Sequence, residues 1–398
     1  MSPLAQRLAA LGVQAVYGAP LAGVPVAEVA DPEVAALLAE AHLLVHRSRC
    51  AVHEGGGGLR LLDRRSEPEE IVLDDADAPT AAPAAGTERW VEPDAGDIER
   101  IDAAVAPVVL VGPGLADPVL VPGLHALAAA GGLGVLNTWG AKGVFDWRSD
   151  HHLATVGLQA RDLELGGAAG ADLVVAAGLD LREVPAAGWN RAPVVTLAPG
   201  ALGPAAEALR GHRRRPAMPP LRTELARVTQ EGWANPGIPL APSAVTRAYA
   251  AAVGAGGLVA ADPGTPGYWV ARTFPTASLG GAVVPARPDA CGLAAACVAV
   301  ARRVWPGRPA LAVTTTVDDR TAAVIEAAAR WGVAVPVERW SEDGPGLDAD
   351  AHAGRLADLL ASGVPAPVAL ATDPRQLDRM VEVAGDVVAW TSAMEGLR

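Results

Sequence analysis

The sequence predicts an α/β protein built from parallel sheets and repeated βαβ units. Short apolar runs end on glycine, as in residues 108–112 and 172–178. Alanine- and leucine-rich segments with a helical pattern lie between such runs. Apolar strands that alternate with helices indicate a parallel sheet covered on both faces. Ligands bind such sheets beyond the carboxyl ends of the strands, where these glycines lie.

Length and composition restrict the class of protein. The 398 residues exceed one typical domain, and the 51% of hydrophobic residues are enough for complete cores. A net charge of -13 argues against a nucleic-acid or anionic-membrane partner. No apolar run reaches about 18 residues without a polar break, so no membrane span is expected. Three scattered cysteines fit a reducing cytoplasm.

The first part of the chain is predicted to hold a short α/β domain over residues 1–62. Helical patterns cover 3–11 and 33–45, and a strand over 13–17 ends at a Gly/Pro turn. Four glycines at 55–58 are compatible with a phosphate cradle or a flexible hairpin. No Gly-Lys-Ser/Thr follows them, which favours the hairpin. Residues 63–98 are acidic and rich in alanine and proline, a composition typical of a linker.

Two larger α/β domains are predicted after this linker. The central one spans 99–220, and a bridge over 221–242 leads to the third, over 243–398. The basic cluster at 210–215 stands beside prolines and is interpreted as exposed linker. The expected strands lie at 108–111, 172–178, 193–197, 257–262, 310–314, 333–337 and 368–371, and later helices at about 292–304, 320–331 and 351–361.

The segments 12–20 (GVQAVYGAP), 134–145 and 261–264 (ADPG) suggest a family. Their order resembles thiamine diphosphate enzymes of the acetolactate synthase type. The resemblance implies a shortened pyrimidine-domain remnant at 1–62 and a Rossmann-like, DHS-like nucleotide-binding domain at 99–220. It implies a diphosphate-domain-like α/β domain at 243–398. It also implies a dimer or tetramer, since the family builds its cofactor site between subunits, and a partner protein is compatible with this.

The chain departs from that family where the family binds magnesium. A Gly-Asp-Gly triplet is expected after the strand at 310–314, and the chain has Thr-Thr-Val at 315–317 instead. Asp318 and Asp319 follow and are the metal-ligand candidates, together with Glu338. The alternative is that an aspartate caps the next helix. The family's asparagine pair is also replaced, so thiamine diphosphate and magnesium are not expected to bind in the usual way.

The resemblance also implies a glutamate that hydrogen-bonds the aminopyrimidine of the cofactor. Glu40 is the candidate for this catalytic role, with Glu54 nearby. The alternative is that Glu40 is a solvated helix residue. Adjacent His151 and His152 point to opposite faces of a strand, so a surface turn is favoured over a metal site.

Lys142 is the single lysine of the chain and lies in a glycine-bearing turn. Such a turn suits an anion, and the family's central domain can hold FAD or ADP at this kind of edge. The alternative is a purely structural βα turn. The predicted cofactor-binding residues are Gly112, Gly114, Asn137, Lys142, Gly143, Gly178 and Asp180 in the central domain, and Asp262 and Gly264 in the third.

Three functions are therefore open. The first is an acetolactate synthase-like homologue that lacks normal thiamine diphosphate and magnesium catalysis and acts as a ligand-binding or partner protein. The second is an active thiamine diphosphate-dependent decarboxylase or carboligase of 2-keto acids. The third is a nucleotide sensor that binds FAD or ADP.

Overall fold

The computed structural model describes residues 2–53, 58–63, 69–72, 91–184, 189, 191–211, 215–363 and 366–390. Within these residues the chain is a mixed α/β protein with three five-stranded sheets. The predicted α/β class with parallel sheets is confirmed. Glycines 55–57 and most of the basic cluster, residues 212–214, lie outside the described residues, as does Glu54.

The N-terminal domain has a mixed sheet in the order β2-β1-β3-β4-β5. Its elements are α1 (Pro3–Ala10), β1 (Val13–Gly18), β2 (Ala27–Glu28), α2 (Pro32–Val45), β3 (Arg49–His53), β4 (Gly58–Leu62) and β5 (Glu69–Val72). Strands β1, β2 and β3 are parallel, whereas β4 and β5 are antiparallel additions. Strand β5 lies inside the segment that the composition assigns to a linker, so the sheet continues past residue 62.

The central domain has a fully parallel sheet in the order β10-β9-β6-β7-β8. Its elements are α3 (Ala95–Ala103), β6 (Pro107–Val111), α4 (Val121–Gly131), β7 (Gly134–Thr138), β8 (His152–Val156), α5 (Asp162–Leu165), β9 (Leu173–Ala177), β10 (Val194–Thr196) and α6 (Leu202–Ala208). This is the doubly wound order 3-2-1-4-5, whose topological switch point lies between β6 and β9.

The third domain has a second fully parallel sheet, in the order β12-β11-β13-β14-β15. Its strands are β11 (Leu258–Ala261), β12 (Ala282–Val283), β13 (Ala310–Thr314), β14 (Val337–Trp340) and β15 (Val368–Leu370). Its helices are α7 (Pro220–Ala234), α8 (Pro242–Val253), α9 (Thr265–Thr273), α10 (Leu293–Val304), α11 (Asp319–Arg330), α12 (Ala349–Ala361) and α13 (Arg375–Ala384). The switch point of this sheet lies between β11 and β13.

Two sequence expectations for the third domain differ from the structure. The strand predicted over 333–337 is wrong, because β14 begins only at Val337. Pro336 precedes it and has no backbone N–H to donate to a ladder, so it accepts a hydrogen bond from Ala312 through its carbonyl instead. The segment 221–242, expected to be a bridge, is mostly the helix α7, which packs against α8 and α13.

The third domain packs against both other domains. One hydrophobic cluster joins Trp139 of the central domain to Tyr268 and Trp390 of the third. Another joins Leu38 on α2 to Leu293 on α10. Burial of large apolar side chains on both sides supplies the main stabilising term at these contacts. The three domains therefore share their cores through the third.

A buried ion pair crosses the boundary between the central and third domains. Arg272 on α9 places Nη2 2.8 Å from both oxygens of Asp162, and both side chains are 1% exposed. Arg272 Nη1 also donates to the Thr155 carbonyl at 2.8 Å. The Asp162 carboxylate accepts in addition from the backbone N–H groups of Leu158 and Gln159. The carboxylate thus has four contacts from three protein donor groups, which compensate its buried charge.

We expect Arg272→Met to destabilise the protein by roughly 3 to 5 kcal/mol, because it leaves Asp162 buried without its cation. Urea unfolding monitored by circular dichroism measures this loss. The matched control is Arg379→Met, which removes an ion pair to Glu231 whose side chains are 41% and 48% exposed. Such exposed pairs contribute about 0 to 1 kcal/mol. Equal losses in the two variants would contradict the importance assigned to the buried pair.

Candidate functional site

The switch point of the central sheet is filled by backbone from its own loops. Gly112 and Gly114 follow β6, and Gly178 follows β9. A Cβ added to Gly112 would lie 2.5 Å from the Gly178 carbonyl oxygen, and one on Gly114 would lie 2.8 Å from the Gly178 Cα. Gly114 N–H donates to that carbonyl at 2.9 Å. These three glycines were predicted to contact a cofactor. In the structure they allow two loops to approach each other closely, which only glycine permits.

Asn137 lies at the carboxyl end of β7 within a buried polar chain. Its Nδ2 donates to the Thr138 carbonyl at 2.8 Å and contacts Thr155 Oγ1 at 3.3 Å. Its Oδ1 therefore accepts from Nε2 of His152 at 2.9 Å, which assigns the proton of the neutral imidazole to Nε2. Burial lowers the pKa of His152 to about 4, with Lys142 and Arg222 adding to the effect.

His151 lies in the turn before β8, as the favoured interpretation has it, whereas His152 is the first residue of that strand. His152 is drawn into the domain by Asn137, and His151 Nδ1 lies 2.8 Å from the carbonyl oxygen of Leu133. The two rings therefore have separate partners, a side-chain amide for His152 and a backbone carbonyl for His151. Both side chains are partly exposed.

Lys142 follows β7 in a short 3-10 turn and is 8% exposed. Within the described residues its ammonium has neither a hydrogen bond nor an ion pair. Burial lowers the pKa of Lys142 to about 7, and the positive charge of Arg272 adds to this. The next residue, Gly143, has φ 93, and a Cβ there would collide with the Ser278 carbonyl of the third domain. This turn therefore packs against the third domain.

Asp180 forms a local turn with Arg182. Its Oδ1 accepts from the Arg182 backbone at 2.9 Å, and its Oδ2 lies 2.6 Å from the guanidinium. Burial alone would raise the pKa of Asp180, but these hydrogen bonds lower it below its ordinary value. The carboxylate is thus held by a neighbour two residues away.

Glu183 is a site residue that the sequence analysis missed. Its side chain is 3% exposed, and Oε2 accepts from Gly140 N–H at 3.2 Å. Burial raises the pKa of Glu183 to about 7, against the opposing effect of hydrogen bonds from Thr138 and Gly140. A Cβ at Gly140 would collide with the carboxylate. Gly140 and Glu183 lie 43 residues apart, and no sequence pattern pairs them. The glycine at position 140 was the only feature of the sequence that pointed to this contact.

At the switch point of the third sheet, Asp262 follows β11 and is 2% exposed. Its Oδ2 accepts from Gly292 N–H at 3.1 Å, and its Oδ1 accepts from Ala294 N–H at 2.9 Å. Both carboxylate oxygens thus stabilise the amino end of α10, where a negative charge also meets the helix dipole. Burial raises the pKa of Asp262 to about 6, and the charge of Asp318 contributes to the increase.

Gly264 is the residue before α9. Its φ of 101° is a backbone conformation that favours glycine, and an added Cβ would have no atom within 4 Å. The conformation, rather than a close neighbour, explains this glycine. The space beside it is open.

The metal-ligand candidates Asp318, Asp319 and Glu338 have separate surroundings. Asp318 is the N-cap of α11, and its Oδ1 accepts from Thr321 N–H at 2.8 Å and Thr321 Oγ1 at 2.7 Å. Asp319 is exposed in the first turn. Glu338 is 0% exposed and accepts from the Tyr249 hydroxyl. In the part of the chain that the structure describes, no three His, Cys, Asp or Glu residues are grouped to hold a metal ion.

At the switch point of the third sheet, groups that would suit magnesium or a diphosphate already have partners within the chain. Magnesium requires about six oxygens in near-octahedral geometry, and one oxygen of Asp318 is already used by its own helix. The backbone N–H groups of Gly292 and Ala294, which would suit a phosphate, already donate to Asp262. A bound diphosphate would have to displace that carboxylate.

Glu40 on α2 forms an ion pair across domains. Its Oε2 lies 2.7 Å from Arg287 Nη2, and both side chains are 36% exposed. Arg287 also contacts Asp289 at 3.0 Å. The predicted catalytic glutamate is thus held by a guanidinium of the third domain, at the side where α2 packs on α10.

Residues 97–198 match the family described as thiamine pyrophosphate enzyme, central domain. These residues are similar to the central domain of the thiamine pyrophosphate enzymes. The match begins in α3 and ends after β10, so it covers the whole parallel sheet of that domain. No curated protein matches the chain. None of the helices in the described ranges has both the length and the apolar character needed to cross a bilayer.

We expect Glu183→Gln to remove a pH dependence of stability. The pKa of Glu183 is about 7 in the folded chain against an ordinary 4.5, so the folded state holds this proton more tightly. The stability that Glu183 provides is full below about pH 4.5 and declines as pH rises to about 7. The variant keeps an acceptor for Gly140 and cannot ionise.

The stability of Glu183→Gln relative to the wild type should therefore increase by up to about 3 kcal/mol across this window, at roughly 1.4 kcal/mol per pKa unit. Urea midpoints at several pH values measure the difference. Glu164→Gln, whose wild-type side chain is 59% exposed, is the control. A difference that stays constant with pH for Glu183→Gln would disprove the assignment.

Proposed function

We propose that this protein is an acetolactate synthase-like homologue of the thiamine diphosphate enzymes that does not perform their normal magnesium-dependent catalysis. It acts instead as a ligand-binding or partner protein. The supporting observation concerns Asp262 and Asp318, at the switch point of the third sheet. Each carboxylate accepts backbone N–H groups at a helix N-terminus of its own chain.

The loop between β13 and α11 supports the proposal further. Thr314 Oγ1 donates to the Thr316 carbonyl at 2.9 Å, so the turn is fixed by its own side chains. Residues 315–317 are β-branched, whereas a backbone that approaches a diphosphate closely needs glycine. Val317 is 36% exposed and offers no oxygen ligand.

The N-terminal domain adds a second argument. Ylid formation requires a carboxylate that contacts the aminopyrimidine of the cofactor. Glu40, the candidate, is paired with Arg287 and helps to attach α2 to the third domain. A structural role for Glu40 follows from this pair.

Nucleotide binding is a second candidate for the central domain. The 3-2-1-4-5 strand order supports it, since such sheets bind dinucleotides at the switch point. The contact between Gly112 and Gly178 closes the innermost part of that crevice, so FAD or ADP would have to bind further out. We also propose a dimer or tetramer in the cytoplasm, with no nucleic acid or membrane as partner.

Calorimetric titration with thiamine diphosphate and magnesium tests the first proposal. We expect no binding tighter than about 100 μM, equivalent to about 5.5 kcal/mol. Tighter binding would contradict the proposal and favour an active decarboxylase or carboligase. Asp318→Asn then identifies the ligand set, because it retains a cap for α11 but is a poorer magnesium ligand.

The cap itself gives a separate prediction. Asp318→Ala should lower the free energy of unfolding by about 1 kcal/mol, whereas Asp318→Asn should be close to wild type, because asparagine is an equally good N-cap. Thermal or urea unfolding measures both. Equal destabilisation by the two variants would show that the carboxylate charge, and not the cap hydrogen bond, is required.

Native mass spectrometry of the purified protein tests the remaining proposals together. We expect a mass of two or four chains, since shared-site enzymes of this family assemble that way. Added mass of FAD or ADP, lost in Lys142→Ala, would support nucleotide binding. A monomer without nucleotide would contradict both expectations.

A further inference from the structure

Lys142 has an environment that does not suit a protonated lysine. It is 8% exposed, and its ammonium has no hydrogen-bond or ion-pair partner within the described residues. The charge that acts on it is another cation, Arg272. An unpaired ammonium in such a site costs several kcal/mol, and the group loses its proton instead. With its pKa lowered to about 7, a substantial fraction of Lys142 is the free amine near neutral pH.

The carboxylate that Arg272 contacts is not available to compensate this amine. Both oxygens of Asp162 accept from Arg272, and one of them also accepts from Leu158 N–H and Gln159 N–H. The carboxylate of Asp146, which acts on the neighbouring His152, is itself paired with Arg148 at 2.7 Å. Neither of these two acids forms an ion pair with Lys142.

Two buried nitrogens near Lys142 also lack a partner. They are Nε of Arg272 and Nδ1 of His152. Arg272 uses its other nitrogens for Asp162 and the Thr155 carbonyl, so its Nε–H is a donor without an acceptor. Unsatisfied buried donors of this kind are rare in folded proteins and point to a missing acceptor.

We propose that Lys142 is a carbamylation site, at which the side-chain amine binds carbon dioxide as a carbamate. The modification converts an amine without a partner into a carboxylate. A carboxylate is an acceptor with two oxygens, and it suits the unpaired Nε–H of Arg272. It is small enough to need only a few atoms' space in this packed boundary.

The reaction balances without an oxidant or reductant. The lone pair of the neutral Nζ attacks the carbon of CO2, and one C=O π pair moves onto oxygen. The nitrogen then loses one proton, which leaves R–NH–COO⁻ and H⁺. That proton passes to water, so the step needs no further reactant from the chain.

The carbamate would strengthen the contact between the central and third domains. Lys142 belongs to the turn after β7, and Arg272 belongs to α9. A carboxylate between them adds a hydrogen bond across the same boundary as the Arg272–Asp162 pair. This inference is independent of whether thiamine diphosphate binds.

The full chain carries its own internal control, because Lys142 is the single lysine. The protein is incubated with ¹³C-bicarbonate near pH 8, the carbamate is trapped as an ester with a trialkyloxonium reagent, and the product is digested with trypsin. Unmodified chains are cut after Lys142, giving peptides 101–142 and 143–148. A trapped carbamate blocks this cut and leaves the peptide 101–148 intact with the label.

We expect one labelled 101–148 peptide per chain and a matching carbamate signal in the ¹³C NMR spectrum before trapping. Lys142→Met, which has a similar length and no amine, should lack both. Bicarbonate should raise the Tm of the wild type and leave that of Lys142→Met unchanged. The digest of the wild type tests the proposal even without the variant. If the ¹³C label is found only on peptide 1–7, which carries the α-amino group, or is not found at all, the proposal is overturned.

Discussion

The arrangement of the domains depends on the buried ion pair between Arg272 and Asp162. Both side chains are almost fully buried, and they join α9 of the third domain to α5 of the central one. Their contact continues through Tyr268, whose hydroxyl donates to Gln159 Oε1, and through Gln159 Nε2, which donates to the Met380 and Gly385 carbonyls. A charge pair at this position is stable only if every oxygen and most nitrogens have partners, which fixes the domain geometry closely.

The same geometry determines the chemistry of the adjacent turn. Once Arg272 occupies the boundary, Lys142 is buried beside a cation, and its pKa falls. His152 is drawn toward Asn137 and stays neutral. The Nε–H of Arg272 is left without an acceptor there, and this arises from the docking of two domains rather than from either domain alone.

A second regularity concerns the ends of the strands, where parallel sheets usually bind ligands. In the N-terminal sheet, a Cβ on Gly18 would collide with the His53 carbonyl. In the central sheet, Gly112 meets Gly178, and in the third sheet Asp262 occupies the amino end of α10. In the described residues, the ends of the strands are therefore occupied by groups of the chain itself. In the N-terminal and central sheets these groups are backbone atoms in close contact, and in the third sheet the group is the Asp262 carboxylate.

The sequence by itself determined the local features. Apolar runs ending on glycine specified the parallel strands, and an aspartate before a helical pattern indicated an N-cap, since strand period and capping depend on neighbours in the chain. The structure assigned that cap to Asp318. Tertiary structure alone decided the rest. The burial of Glu183 against Gly140, the Arg272–Asp162 pair and the isolation of Lys142 join residues far apart in sequence. Burial and partner geometry set their charges, and no linear spacing encodes either quantity.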